Sequence, residues 1–255
     1  MIKWVAVLIF VASTPVQAWQ CEYDKRIDQV LDVSGSSVLD VAAAAGDLRI
    51  SGKPGTDEVK IRGKVCVSEE EWLDEVTVET STGDRATVSV VIPDSEGWTI
   101  WGSRYAYVDL ELVIPDGLNL DVRDSSGDIE IENVAAVELK DSSGDIRITD
   151  ASGPVVIRDS SGDIRVQDLA SDFTVVSDSS GEIWGKDIEG NAVVESDSSG
   201  DIIFSRVGKN VVVERDSSGD IDVDSVEGDF TVQRDGSGGI HSKDVKGKVD
   251  VPEQG

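Results

Sequence analysis

Histidine is nearly absent from this chain, which holds one, His241, beside two cysteines in 255 residues. Histidine is the commonest general acid–base and a frequent metal ligand, so chemistry of that kind has almost nothing to draw on. Cys21 and Cys66 have no histidine near them in sequence, which disfavours a thiolate nucleophile activated by a neighbouring base. Basic residues are also scarce, with 23 Lys and Arg against 51 Asp and Glu and a net charge of −28. Such a surface stays soluble, repels nucleic acid and anionic lipid, and attracts cations or basic patches. After residue 18 no stretch approaches the ~20 apolar residues of a transmembrane helix, so nothing membrane-spanning is expected.

What the chain has in abundance is one phrase. Asp-Ser-Ser-Gly-Asp-Ile recurs with small changes from Asp124, Asp141, Asp159, Asp178, Asp197, Asp216 and Asp235, at intervals of 17, 18 and then 19 residues. The first Asp, the second Ser, the Gly and the Ile never change, while the fifth position becomes Glu182 and Gly239 in two copies. Asp followed by Ser-Ser-Gly is turn chemistry: the carboxylate accepts from nearby amides and the glycine supplies a left-handed backbone. Gly127, Gly144, Gly162, Gly181, Gly200, Gly219 and Gly238 are thus the expected turn positions. A short alternating strand follows each turn (Ile146-Arg147-Ile148, Ile164-Arg165-Val166), and a second lies about nine residues on (Phe173-Thr174-Val175, Val211-Val212-Val213). A softer turn carrying Gly153, Gly190 or Gly228 separates the two. Repeats of this length bury an apolar face only by stacking on their neighbours. The expected fold is all-β, a parallel β-solenoid (β-helix) of about 19-residue coils, and the spacing fits a two-sided or a three-sided cross-section.

Stacking also lines up the acids. Coils about 4.8 Å apart put unit charges where they repel by roughly 0.9 kcal/mol even in water. One offset is hydrogen bonding from Ser hydroxyls and turn amides, helped by Arg123, Lys140, Arg158, Arg215 and Arg234, each directly before an Asp. The other is a column of Ca²⁺ on Asp141, Asp159, Asp178, Asp197 and Asp216, since hard cations prefer oxygen ligands. The calcium-binding solenoid repeat Gly-Gly-x-Gly-x-Asp has a nine-residue period, and this phrase departs from its period and glycine count. Structural turns are the favoured reading, with no cofactor required.

Residues 1–18 combine Lys3, an apolar run and Val16-Gln17-Ala18, the pattern of a secretory signal peptide. The chain is therefore expected to be exported, to a periplasmic, secreted or cell-envelope location. There an oxidising environment favours a Cys21–Cys66 disulfide, tying residues 19–36 down as an N-terminal cap segment. Residues 37–122 carry worn copies of the phrase, such as Ala45-Gly46-Asp47-Leu48, and are expected to form degenerate first coils. Ser68-Glu69-Glu70-Glu71 resembles a capping box opening a helical turn through Leu73. Within 93–107, Trp98, Trp101, Tyr105 and Tyr107 are four of thirteen aromatic residues. They either fold back over the early coils or present a binding loop. Trp184 is expected to point outward beside Ile203 in the next coil, a small apolar patch. Regular repeats fill 123–251, with Lys243, Lys246 and Lys248 guarding the last strands against edge pairing, and 252–255 form a tail.

Tyr107-Val108-Asp109-Leu110-Glu111-Leu112-Val113-Ile114-Pro115, then Leu118–Val122 and the repeated Ser-Ser-Gly-Asp-Ile, resemble the bacterial DUF4097 β-strand-repeat proteins, a family given an adhesin label by conjecture. The resemblance covers residues 37–251. It implies a β-solenoid in an exported or envelope-associated protein and transfers no catalytic residue. The functional expectation is a non-catalytic adhesin-like or structural module whose partner is an envelope component, glycan or protein. A polysaccharide-acting β-helix enzyme is the alternative; it calls for a unique cluster of acids or bases that breaks the repeat. A Ca²⁺-stabilised structural module is a third reading.

Overall fold

The structure, a computed structural model, describes residues 21–92 and 104–252. The expected signal peptide, Trp98 and Trp101 lie outside them. Described strands form two sheets of eleven strands each, with the core between them. From residue 119 onward each coil is one strand of sheet B, the phrase loop, one strand of sheet A and a second corner. Val137–Lys140 and Ile146–Ala151 make one coil, and Val155–Arg158 and Ile164–Leu169 the next. The fold is the expected parallel β-solenoid, and its cross-section is two-sided.

Alternation decides which side chains fill the core. Ile129, Ile146, Ile164, Ile183, Ile202 and Ile221 are paired in register, coil on coil, and all are buried. Residues between them, such as Arg147 and Arg165, face out. Volume is balanced between coils as well as within them. Phe173 and Gly185 lie in one coil and Ala192 and Phe204 in the next, so each ring stacks on a small residue (Phe173 on Ala192, Phe204 on Gly185), and the two rings meet edge to face at 6.2 Å. A Cβ on Gly185 would lie 2.7 Å from the Phe204 ring.

The two corners use different chemistry. At the phrase loop, Gly162 has φ +123°, and a Cβ there would lie 1.9 Å from the carbonyl oxygen of Gly144. Only glycine allows both the left-handed backbone and that approach. At the second corner the left-handed residue is not a glycine: Asn133, Asp150, Asp168, Asp187, Arg206, Ser225 and Asp244 have φ between 54° and 62°. Five of the seven are Asn or Asp, the side chains that best tolerate this region. Gly153, Gly190 and Gly228 of the softer turn do not have positive φ; they are small because the preceding coil passes within about 3 Å of where their Cβ would be.

Residues 21–115 share the sheets but not the order. Here lie β1 (Tyr23–Asp32), β2 (Val38–Ala45), β3 (Leu48–Lys53), β4 (Glu58–Val67), α1 (Trp72–Glu75), β5 (Thr77–Ser81), β6 (Arg85–Val91) and β7 (Ala106–Pro115); β8 (Asn119–Ser126) and β9 (Ile129–Val134) follow. Sheet A runs β1-β4-β7-β3-β9 and sheet B runs β5-β6-β2-β8. The chain thus lays down the β2–β3 coil, moves outward to build the end of the solenoid, and returns through β6 and β7. It then crosses over to start β8 on the far side of β2. The outermost pairings β1–β4, β4–β7 and β5–β6 are antiparallel. They close this end of the core together with the half-buried Trp72 and Leu73. Lys25 Nζ donates to the Leu73 carbonyl, and Gln29 Nε2 donates to that of Val78 at 3.1 Å. The segment expected only as a cap is therefore largely β1, an edge strand of sheet A. The expected capping box is absent: α1 begins at Trp72 with no side-chain cap, and the Ser68 hydroxyl instead accepts the Tyr105 N–H at 3.1 Å.

Candidate functional site

Outward-facing residues of sheet A form rows across all eleven strands. One row reads Asp28, Arg62, Glu111, Arg49, Glu130, Arg147, Arg165, Trp184, Ile203, Asp222, His241. Its first five members alternate in sign and pair, with Arg62 4.0 Å from Asp28 and 3.6 Å from Glu111, and Arg49 3.3 Å from Glu130. These exposed pairs contribute little individually, but they neutralise that end of the face. A groove of about 490 Å³ crosses it, lined by Arg26, Arg49, Arg62 and Lys64 against Asp28, Asp47, Asp109 and Glu111.

The middle of the row breaks the alternation. Arg147 and Arg165 are cross-strand neighbours, and Arg165 adjoins Trp184, which adjoins Ile203. Arg165 is held by Asp163 at 2.8 Å and Glu182 at 3.4 Å, whereas Arg147 is exposed and forms no ion pair among the described residues. Trp184 and Ile203 are both half-buried, leaving a ring and a branched side chain on an open sheet face. His241 ends the row. Its Nε2 would lie 2.6 Å from a Cβ on Gly239, so the copy that lost its fifth-position acid is the one that seats an imidazole. No carboxylate hydrogen-bonds to it among the described residues.

The other aromatic candidates divide. Tyr105 and Tyr107, 6.2 Å apart, fasten the start of β7 to the capped end: the Tyr105 hydroxyl accepts the Glu22 N–H, and Tyr107 pairs in register with Cys66. Cys66 is bonded to Cys21, so both tyrosines sit at the disulfide. Arg104 lies 5.7 Å above the Trp72 ring.

In six of the seven phrases the first Asp does not face solvent, and that of the last, Asp235, is half-buried. Asp124, Asp141, Asp159, Asp178, Asp197 and Asp216 are 1–7% exposed and stack inside the phrase corner. The basic residues expected to offset them do not reach them. Arg123 pairs with Asp40 and Asp121, Arg158 pairs with Glu138, and Lys140, Arg215 and Arg234 are exposed. Nor do the Ser hydroxyls, which run along the solenoid instead: Ser143, Ser161, Ser199 and Ser218 donate to the carbonyls of Ser125, Ser142, Ser179 and Ser198 in the preceding coil. Only turn amides bond the column. Among the described residues no group of three or more His, Cys, Asp or Glu is arranged to hold a metal ion.

Two further ladders run along the corners, the first of them on the fifth position of the phrase. At the phrase corner Asp128, Asp145, Asp163, Asp201 and Asp220 each accept the backbone N–H of the equivalent residue one coil on, at 2.7–3.1 Å. At the second corner Asp172, Asn191, Asn210 and Asp229 do the same at 2.7–3.2 Å. A spacing of 17–19 residues marks the first ladder in the sequence and one of 19 the second. Among the described residues no helix is long and apolar enough to cross a membrane.

No family model matches the chain, and no curated protein matches its sequence. Solved structures do resemble it. A Parabacteroides merdae protein provisionally named an adhesin is 12% identical with a TM-score of 0.48, over 91% of this chain and 97% of that one. A Clostridium sporogenes protein provisionally named for cell adhesion is 14% identical with a TM-score of 0.42, over 87% and 99%. A Parabacteroides distasonis protein provisionally named for lipid binding is 15% identical with a TM-score of 0.39, over 88% and 96%.

Proposed function

We propose that the protein is an exported, non-catalytic binding module of the cell envelope, of the DUF4097 repeat type, that holds its partner across the outer face of sheet A. The observation that carries this reading is the run Arg147, Arg165, Trp184, Ile203 in one cross-strand row. On a chain with net charge −28, Arg147, without an ion pair among the described residues and in the same row as an outward tryptophan with the ion-paired Arg165 between them, favours an anionic group attached to a ring. The guanidinium forks take carboxylate or phosphate, and the indole stacks on the ring. An acidic envelope glycan has both features. The disulfide and the signal-like N-terminus support export.

The test is co-sedimentation of the mature protein with cell-envelope fractions, with and without Ca²⁺, and with acidic and neutral polysaccharides prepared from them. Trp184→Ala with Arg147→Gln is expected to abolish retention on the acidic fraction, and high salt to weaken it in the unaltered chain. Retention that survives this double variant but is lost in Trp98→Ala/Trp101→Ala moves the site to residues 93–107. Release of new polysaccharide ends during incubation would favour the enzyme reading instead.

A further inference from the structure

The six buried aspartates present an electrostatic problem that the rest of the molecule does not solve. Their own turns supply amide partners to one oxygen at four of the six sites, Asp178 receiving a second from Ser180 at 3.3 Å. The amides of Ser160, Ser179 and Ser198 donate to Oδ1 of Asp159, Asp178 and Asp197 at 2.6, 2.6 and 2.7 Å, and that of Ser218 donates to Asp216 at 3.2 Å. The other oxygen, Oδ2 of Asp159, Asp178, Asp197 and Asp216, is buried without any partner, as are both oxygens of Asp124 and Asp141. An ionised carboxylate out of contact with water and with orphaned oxygens is strongly disfavoured.

The charged groups that face the column make this worse. Along it they are its own members, one coil away in each direction. From the sheet A side of the corner they are the fifth-position acids, with Asp47 acting on Asp124, Asp163 on Asp178 and Asp201 on Asp216; Asp235 acts on Asp216 from the last phrase. From the sheet B side the preceding basic residues point away, as described. The charges acting on the column are thus negative, and among the described residues no cation is buried in the interior.

We propose that Asp124, Asp141, Asp159, Asp178, Asp197 and Asp216 form a proton-binding column inside the solenoid, so that the regular coils hold tightest below neutral pH and loosen as the column ionises. A proton suits the site better than a metal, because it needs no additional space and no shell of six to eight oxygens. Burial is the main cause in each case, and it pushes Asp124 and Asp197 up to about 7 and Asp141 and Asp178 up to about 6; Asp159 and Asp216 are raised by the same cause. The sign follows from linkage. Below the ordinary Asp range both folded and unfolded chains are protonated, and the contribution of the column is fully present. As pH rises the unfolded chain loses these protons first, so the contribution drains away from about pH 4 and is gone above about pH 7.

The experiment is thermal unfolding followed by circular dichroism from about pH 4.5 to 8.5 in EDTA. It compares the native chain, Asp159→Asn/Asp178→Asn/Asp197→Asn, and the surface control Glu189→Gln/Glu195→Gln/Glu214→Gln. The control removes as much charge from the exterior and so separates the column from general self-repulsion. The native midpoint is expected to fall between about pH 5 and 7.5, the buried triple to lose about half of that fall and melt higher at pH 8, and the control to keep the fall. Calorimetry at about pH 5.5 in buffers of different ionisation heat should find protons released on unfolding, and fewer from the buried triple. A native midpoint that stays level or rises across this range overturns the proposal, as does a buried triple with the same slope as the control. Calcium that restores the native midpoint at pH 8 also overturns it, by assigning the column to a metal. Should the triple not fold, Asp178→Asn alone must still reduce proton release, and an unchanged count counts against the column.

Discussion

The capped end and the repeat ladder are built on the same two sheets, yet their contacts reach very different distances along the chain. In the ladder a partner outside its own turn is one coil away: the corner bonds between coils join residues 17–20 apart, from Asp145–Asp128 to Ser199–Ser179. In the first half, Arg49 meets Glu130 and Arg123 meets Asp40, pairs 81 and 83 residues apart. A repeating coil solves its burial and hydrogen bonding locally, and each added coil solves it again in the same way. An end cannot repeat, because it must cover exposed core and free strand edges. That task falls to antiparallel strands, α1, a disulfide and a chain path that doubles back, all of which require closure of long loops. The far end is treated differently. Its last strands keep exposed faces, and Lys243, Lys246 and Lys248 pair with Asp224, Glu227 and Asp250 there.

The comparison breaks most severely at the glycine column. Replacing Gly162 by valine forces a branched residue into φ +123° with its Cβ 1.9 Å from a carbonyl oxygen. Neither coil can shift without breaking the next, so a loss of more than about 4 kcal/mol is expected, seen as a chain that no longer gives a cooperative β-rich melt. Gly117→Ala, with nothing within 4 Å of the new Cβ, is the matched control and should melt like the native protein. Equal melting of the two variants would remove the turn assignment.

The disulfide tests whether the two halves are separable. Cys21 and Cys66 close a separation of 45 residues and join the entry of β1 to the end of β4. Cys21→Ser/Cys66→Ser should lower stability by about 2–4 kcal/mol, with hydrogen exchange quickening in β1 and β4. Strands from Ile146 to Val226 should keep their protection. Loss of protection along the whole solenoid would mean that the cap and ladder unfold as one unit.

The ladder was legible because its evidence is periodic. Repetition of Asp-Ser-Ser-Gly-Asp-Ile, alternation within Ile146–Ile148 and the invariant glycine each report a local requirement that every coil must meet. Trp184 beside Ile203 was legible for the same reason, since a 19-residue step maps one coil onto the next. The capped end was not, because the placement of β3 between β7 and β9 depends on which long loop closes over which strand, and no pattern in β3 encodes that. The burial of the aspartates is only partly legible, for a different reason. Alternation gives the inward face for Asp141 and Asp159, two positions after the buried Leu139 and Ile157, but Asp178, Asp197 and Asp216 follow Val175, Val194 and Val213 by three positions, which alternation would turn outward.

The smallest of these effects sharpens what a local contact means in the ladder. Gly185 leaves space that Phe204 fills from the next coil, touching Phe173 of the same coil as Gly185, while Ala192 makes room for Phe173 in turn. Gly185→Val would drive its side chain into the Phe204 ring, 2.7 Å from the new Cβ, and should cost about 1–3 kcal/mol by overpacking. Phe204→Val in the same chain removes the obstruction, so the double variant should be more stable than Gly185→Val alone. A coupling of 0.5 kcal/mol or more between neighbouring sites is about what such a contact gives. The measurement is a double-mutant cycle in chemical denaturant. Strict additivity would show that the two coils do not share their core volume, and that the phenylalanine pair is incidental to how the solenoid stacks.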